Sequence, residues 1–123
     1  MSGYSVIRNG DIDAGSECKD WGSLSWFASK SLSGLAGLTA GRVVIRKGKS
    51  NPRHAHPNCS EVLYLLSGEL DHTADDETIK LKPGDALLIP PGVLHNALSA
   101  GDVDAEMIVM YDSGERGFVA EKK

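Results

Sequence analysis

Short apolar runs separated by turn signals are the main feature of this chain. Three runs, VLYLL at 62–66, ALLIP at 86–90 and MIVMY at 107–111, are apolar at nearly every position, whereas ELDHTA at 69–74 and TIKLKP at 78–83 alternate polar and apolar residues. Gly-, Pro- and Asp-rich turn signals recur along this part of the chain: Gly48, 67–68, 75–76, 82–85, 90–92 and 101–102. This rhythm predicts an all-β fold, a single antiparallel sandwich or barrel.

The alternating runs flank Asp75 and Asp76 and predict a β-hairpin with one solvent-exposed face. Upstream, GSLSWFAS at 22–29 suits a strand, and the Gly-rich 31–41 predicts a loop and a strand, with a poorly capped helix as the alternative. Residues 1–21 are weakly patterned. We therefore predict an N-terminal extension over 1–21 and one barrel domain over 22–123.

A strand that is apolar on both faces needs cover on both faces. The runs at 62–66, 86–90 and 107–111 have this character, and the barrel interior covers only one side of each. The N-terminal segment or a second copy of the chain are the two candidates for the outer cover. Since few residues are left for an outer layer, we expect a homodimer that packs sheet on sheet.

Composition and charge narrow the classes of partner. The chain has 123 residues, enough for one domain, and its thirteen Lys and Arg against seventeen Asp and Glu give a net charge of −4. Without a basic surplus, we expect neither nucleic acid nor an anionic membrane surface as a partner. No signal peptide or spanning segment is recognisable, and Cys18 and Cys59 are expected to be free thiols. We therefore expect a soluble, cytoplasmic protein.

His54, His56, Glu61 and His95 form the candidate site. In a strand, residues i and i+2 share a face, so His54 and His56 project together, roughly 6–7 Å apart, as two ligands of one metal do. Glu61 opens an apolar strand, where an unpaired carboxylate costs several kcal/mol, and a divalent cation is one compensation. His95 follows the rigid turn at 90–92. The remaining histidine, His72, has no ligand-like companion and is left out of the site.

Two stretches of the chain resemble the two conserved motifs of the cupin superfamily. In residues 48–68, the first motif matches in the order Gly48, His54, His56, Glu61 and Gly68. In residues 84–99, the second motif matches at the following positions: Gly84, Pro90, Gly92 and His95. Ser99 stands where the family has Asn, a departure that leaves the four candidate ligands intact.

The resemblance implies a small antiparallel β-barrel, the jelly roll or double-stranded β-helix, that holds one divalent ion between His54, His56, His95 and Glu61. Mixed nitrogen and oxygen ligands suit Fe, Mn, Ni, Co, Cu or Zn equally, so the metal stays open. An ion with open positions favours a small organic substrate that chelates through oxygen: a keto or hydroxy acid, a diketone or a uronate. On strand parity, Leu63 and Leu65 line the interior and Tyr64 faces away.

Fold alone does not fix the reaction, and three functions stay open. The first is a metal-dependent enzyme, either a dioxygenase or a non-redox lyase or isomerase, with Glu61 as a candidate catalytic residue that shuttles a proton. The second is a sensory or binding module for a sugar or acid, without catalysis. The third is a storage protein. Arg116 is expected to be a solvated charge, and the alternative is that it steadies a substrate carboxylate.

Overall fold

A computed structural model describes residues 3–122 of the chain. Within this range there are two short helices, α1 (Asn9–Ala14) and α2 (Lys30–Ser33), and eleven strands. The strands are β1 (Glu17–Lys19), β2 (Gly22–Ala28), β3 (Thr39–Ile45), β4 (His54–Ala55), β5 (Glu61–Ser67), β6 (Leu70–Ala74), β7 (Glu77–Leu81), β8 (Ala86–Ile89), β9 (His95–Ser99), β10 (Ala105–Tyr111) and β11 (Val119–Ala120).

The strands form two antiparallel sheets. The first has the order β1-β2-β3-β10-β5-β8 and the second the order β11-β4-β9-β6-β7. Buried residues of both sheets join in one hydrophobic cluster, to which the first sheet contributes Leu65 and Met107 and the second Leu70 and Ala97. The predicted all-β fold is confirmed. The two sheets enclose the core between them, which is how a chain of this length buries apolar surface on both layers.

Strand parity decides which side chains of β5 enter the core. Leu63 and Leu65 are buried, and Tyr64 between them is exposed, as the period of two predicts. Glu61 has the same parity as the two leucines and is also buried, so the strand that supplies core residues also carries a carboxylate inward. This placement leaves Glu61 in need of a partner inside the barrel.

The predicted hairpin is present as β6 and β7. Leu70 pairs with Leu81 and Ala74 with Glu77, and Asp75 in the connecting turn adopts a φ of 51°. Asp tolerates this left-handed conformation better than most residues, which explains its place in the turn. Gly68, before β6, has a φ of 79°, and a Cβ there would lie 2.7 Å from the Cα of Ala105. No other residue fits this close approach.

The N-terminal part of the chain is only partly attached to the barrel. β1 extends the first sheet by pairing with β2, whereas α1 contributes no buried residue. In the Gly-rich region, α2 is a four-residue helix capped by the Ser29 hydroxyl, which accepts from the Leu32 backbone N–H. The boundary between residues 21 and 22 stays a prediction.

Among residues 3–122, no helix combines the length and the apolar character that crossing a bilayer requires. Both α1 and α2 are shorter than two helical turns. The cytoplasmic location and the lack of a nucleic-acid partner stay predictions.

Candidate metal centre

Three imidazoles meet at the end of the second sheet. His54 in β4 lies directly opposite His95 at the start of β9, with their ring centroids 4.4 Å apart. His56, two residues after His54, is 4.8 Å from it and 5.1 Å from His95. All three side chains are buried, and one ligand atom from each lies within 4.8 Å of the others. The strand geometry therefore brings together the histidines that the spacing predicts as neighbours.

Glu61 reaches this cluster from the opposite sheet. Its Oε1 lies 3.2 Å from the Nε2 atoms of both His56 and His95. The site is thus built across the two layers: His54 and His95 lie in the second sheet, His56 directly follows β4 of that sheet, and Glu61 comes from the first sheet. The structure brings all four predicted site residues together, and their role as metal ligands stays a prediction.

Backbone carbonyls fix the orientation of every imidazole. Each ring donates from Nδ1 to a carbonyl oxygen: His54 to Pro52 at 2.7 Å, His56 to Gly117 at 2.7 Å and His95 to Val93 at 2.9 Å. Because a carbonyl only accepts, the proton of each neutral ring sits on Nδ1. The Nε2 lone pairs are left free, which is the arrangement that orients metal-binding histidines in proteins.

The centre of the cluster holds acceptors that face one another without a donor. A neutral ring whose proton is on Nδ1 has no hydrogen to give from Nε2, so the 3.2 Å contacts of Glu61 with His56 and His95 place lone pairs against a carboxylate. His56 Nε2 is buried and has no hydrogen-bond partner within residues 3–122. A cation between these atoms removes the conflict, so the donor set fits a divalent metal ion.

The protonation states also suit a cation. Burial lowers the pKa of His54 to about 4, so the ring is neutral at pH 7 and its lone pair is free. Burial alone would raise the pKa of Glu61, but a proton on the facing Nε2 of His56 and of His95 lowers that pKa below its usual range, and a cation in the place of those protons acts in the same direction. The centre therefore combines the neutral ring of His54 with the ionised carboxylate of Glu61.

A cavity of about 340 Å³ opens beside the cluster inside the barrel. Its walls include His54, Glu61 and His95 and the following apolar side chains: Leu24, Val43, Ile45, Leu63, Met107 and Val109. An apolar pocket with a few convergent polar groups is the usual form of a small-molecule site. The cavity therefore offers a small ligand direct access to the candidate metal centre.

His72, which the sequence analysis leaves outside the site, lines this cavity. Its ring stacks on that of His95 with centroids 5.7 Å apart and an interplanar angle of 13°. Its Nδ1 is buried without a partner among the described residues, and burial lowers its pKa to about 4. His72 lies outside the group of three histidines whose ligand atoms converge, but its place in the cavity wall was not predicted. The sequence feature that indicates its inward position is its parity with Leu70, because residues two apart in a strand point to the same face, which is buried here.

The segment 114–120 passes over the site and supplies contacts that the sequence did not predict. Besides the Gly117 carbonyl, the ring of Phe118 stacks on His54 at 4.8 Å and 22°. β11 pairs with β4, which anchors the segment next to His54. Arg116 is half-buried over three aromatic rings, so the expectation of a solvated charge was wrong.

Tyr111 is a further residue of the site that sequence reasoning missed. It lies directly opposite Glu61 in the pairing of β10 with β5, and it borders the same cavity as Glu61. Burial and the charge of Glu61 raise its pKa well above the usual value, so Tyr111 stays protonated. Tyr111 has the same parity as Met107 and Val109, both buried, and this alternation could have predicted that its side chain faces inward.

The chain is similar to known proteins over much of its length. Residues 41–111, more than half of the chain, match the family model of the cupin domain. Germin-like protein subfamily 3 member 1 of Arabidopsis thaliana is 34% identical over 91 residues, which are 70% of this chain and 43% of that protein. The chain spans about half the length of the curated relatives it matches.

Two solved structures share its architecture. An oxalate oxidase in complex with the substrate analogue glycolate is 27% identical, with a TM-score of 0.64, and the match covers 68% of this chain and 46% of that chain. An uncharacterized conserved protein from Klebsiella pneumoniae with a double-stranded β-helix domain is 20% identical, with a TM-score of 0.79, over 98% of this chain and 100% of that chain. The resemblance in the two sequence motifs is confirmed: this chain belongs to the cupin family.

Proposed function

We propose that this chain holds one divalent metal ion between His54, His56, His95 and Glu61 and uses it to bind and transform a small organic acid that chelates through oxygen. The convergence of three Nε2 lone pairs and a carboxylate on one point carries the proposal. Without a cation, this arrangement costs free energy, because buried acceptors then face one another unpaired.

The donor set suits Fe, Mn, Ni, Co, Cu or Zn in the divalent state. A bound ion supplies Lewis acidity toward a carboxylate or carbonyl and, where it is redox-active, an exchange of electrons with dioxygen. These two kinds of chemistry correspond to a non-redox lyase or isomerase and to a dioxygenase. Three neutral imidazoles and one carboxylate leave a net positive charge on a divalent centre, which favours an anionic ligand.

The surrounding side chains give the acid a dry site and a proton acceptor. Leu63, Met107 and Val109 line the cavity and exclude water from one side of the ligand. Glu61 borders the cavity, so its carboxylate is the candidate acceptor for the proton that a hydroxy acid loses. Tyr111 lies opposite Glu61 on the neighbouring strand and borders the same cavity. The oxalate oxidase that resembles this chain binds glycolate, a hydroxy acid of the proposed class.

Metal analysis followed by a substrate screen tests the proposal. Purified protein should contain one of the six metals at about one ion per chain. Metal-free protein reconstituted with each metal is then screened against keto acids, hydroxy acids, diketones and uronates, with an oxygen electrode and ultraviolet absorbance. Metal-dependent oxygen uptake identifies a dioxygenase, and turnover without uptake identifies a lyase or isomerase. Binding without turnover contradicts the enzymatic part and identifies a binding module, and protein that takes up no metal contradicts the whole proposal.

We further propose that a second copy of the chain covers the outer face of the first sheet. Val62 on β5 pairs with Leu88 on β8 and with Met110 on β10, and Tyr64 follows on the same face. Tyr64, Leu88 and Met110 are exposed, Leu88 by 64%. These four residues, the outer patch, form a contiguous apolar area of the kind that marks an interface.

Replacing Leu88 with Lys is expected to convert a dimer into a 13.1 kDa monomer, because a charge within the outer patch is costly to desolvate. Sedimentation velocity at micromolar concentration measures the change. Val103→Lys is the matched control, since Val103 is 58% exposed but lies in a loop outside the patch. A wild-type protein that sediments as a monomer, or a Leu88→Lys variant that stays dimeric, contradicts the proposal.

A further inference from the structure

We propose that Arg116 anchors a second carboxylate of the acid bound in the cavity, so that the protein prefers dicarboxylates to monocarboxylates. This inference rests on the proposed function, because the first carboxylate is the group that chelates the metal. It adds a residue that determines which acids are bound.

Aromatic rings hold the Arg116 guanidinium at the cavity wall. Its Cζ lies 4.7 Å from the ring centroid of Trp26, 5.3 Å from that of Tyr111 and 5.8 Å from that of Phe118. Arg116 lines the inner cavity and also an outer groove, so it stands between the ligand space and the surface. Cation–π contacts of this kind fix the position of the group and leave its charge uncompensated.

No carboxylate within residues 3–122 forms an ion pair with Arg116. The neighbouring Glu115 pairs with Lys30 at 2.8 Å, and Glu17 accepts a hydrogen bond from the indole of Trp26 at 2.9 Å. By contrast, Arg53 bonds to Glu121, and Arg42 bonds to Asp13. Arg116 is therefore a cation on the cavity wall that lacks an anionic partner.

The geometry of the guanidinium suits a carboxylate from the ligand. Stacking uses the flat faces of the group, whereas its N–H donors lie in the plane and point outward from the edge. None of these donors has a hydrogen-bond partner among the described residues. A carboxylate can accept two parallel hydrogen bonds from this edge, which is among the strongest polar contacts available to a protein.

One aromatic ring separates Arg116 from the candidate metal centre. The Tyr111 ring that lies under the guanidinium is 4.9 Å from the ring of His56, and the Phe118 ring beside it is 4.8 Å from that of His54. Arg116 and the imidazole cluster border the same cavity. A short diacid can therefore engage the metal with one end and Arg116 with the other.

Calorimetric titration of lactate and malate into metal-loaded protein tests this assignment. Both acids carry the same 2-hydroxycarboxylate end, and malate adds a second carboxylate. Wild-type protein is expected to bind malate at least about tenfold more tightly than lactate, and Arg116→Gln to lose roughly tenfold to hundredfold of its malate affinity with unchanged lactate affinity. Arg116→Lys keeps the charge without the planar fork and is expected to retain part of the preference.

Arg42→Gln is the matched control, because it removes the same charge from an arginine that does not line the cavity. If Arg116→Gln weakens both acids equally, its role is structural and the proposal is overturned. Equal affinity of the wild type for the two acids overturns it as well. Should metal-loaded wild type bind neither acid, the part of the proposed function that concerns hydroxy acids fails together with this inference, which the wild-type titrations alone reveal.

Discussion

Replacing His95 with Ala is expected to reduce bound metal from about one ion per chain to below about 0.1. The substitution removes one Nε2 ligand and leaves Glu61 with fewer partners, so the remaining groups bind the cation too weakly to retain it through purification. His54→Ala is expected to behave alike, because its ring is 4.4 Å from that of His95 in the same cluster. Elemental analysis of the gel-filtered variants measures the loss, and circular dichroism checks that both are folded.

His72→Ala is the matched control for these variants. His72 is buried and stacks on His95, but it lies outside the group of three histidines whose ligand atoms converge. It should retain about one ion per chain. Full metal content in a folded His95→Ala or His54→Ala protein contradicts the assignment of the ligands.

The second large effect concerns stability. Replacing Leu65 with Ala should lower the free energy of unfolding by about 2–5 kcal/mol, the range for a buried leucine truncated to a cavity. Leu65 is 0% exposed and belongs to the hydrophobic cluster that joins the two sheets. Urea denaturation of wild type and variant at the same protein concentration gives the difference.

Leu98→Ala, in β9, provides the comparison. Leu98 is 39% exposed on the outer side of the second sheet, so the same truncation should cost less than about 1 kcal/mol. Similar losses for the two variants would show that Leu65 is not packed between the sheets as described.

The parts of the fold that follow from local pattern were predictable. Leu63 and Leu65 face inward and Tyr64 outward because the side-chain period of a strand is two, and the β6–β7 hairpin turns at Asp75 as its flanking alternation predicts. The four candidate ligands could also be predicted from the sequence, because His54 and His56 are two residues apart and Glu61 is the first residue of a strand.

Contacts between distant segments were not predictable in the same way. Phe118 and Arg116 lie in a connection with no periodicity, and their neighbours His54 and Trp26 are remote in sequence. No local rule states which ring a loop residue will meet, because the packing of the whole barrel decides it. His72 lies between these two cases. Its parity with Leu70 indicates that its side chain faces the core, but the sequence does not show that a cavity lies there.

Because the carbonyl of Gly117 orients His56, the ring of His56 can be fixed only after residue 117 has been synthesised. His56 depends on this oxygen for the orientation of its ring, although the two residues are far apart in the chain. A ribosome-bound chain that carries His54, His56, Glu61 and His95 but not yet residue 117 lacks one of the three carbonyls that turn the imidazoles inward. The complete orientation of the three imidazoles is therefore a late step of folding, because His56 gains its carbonyl partner only after this segment has emerged and closed over the barrel.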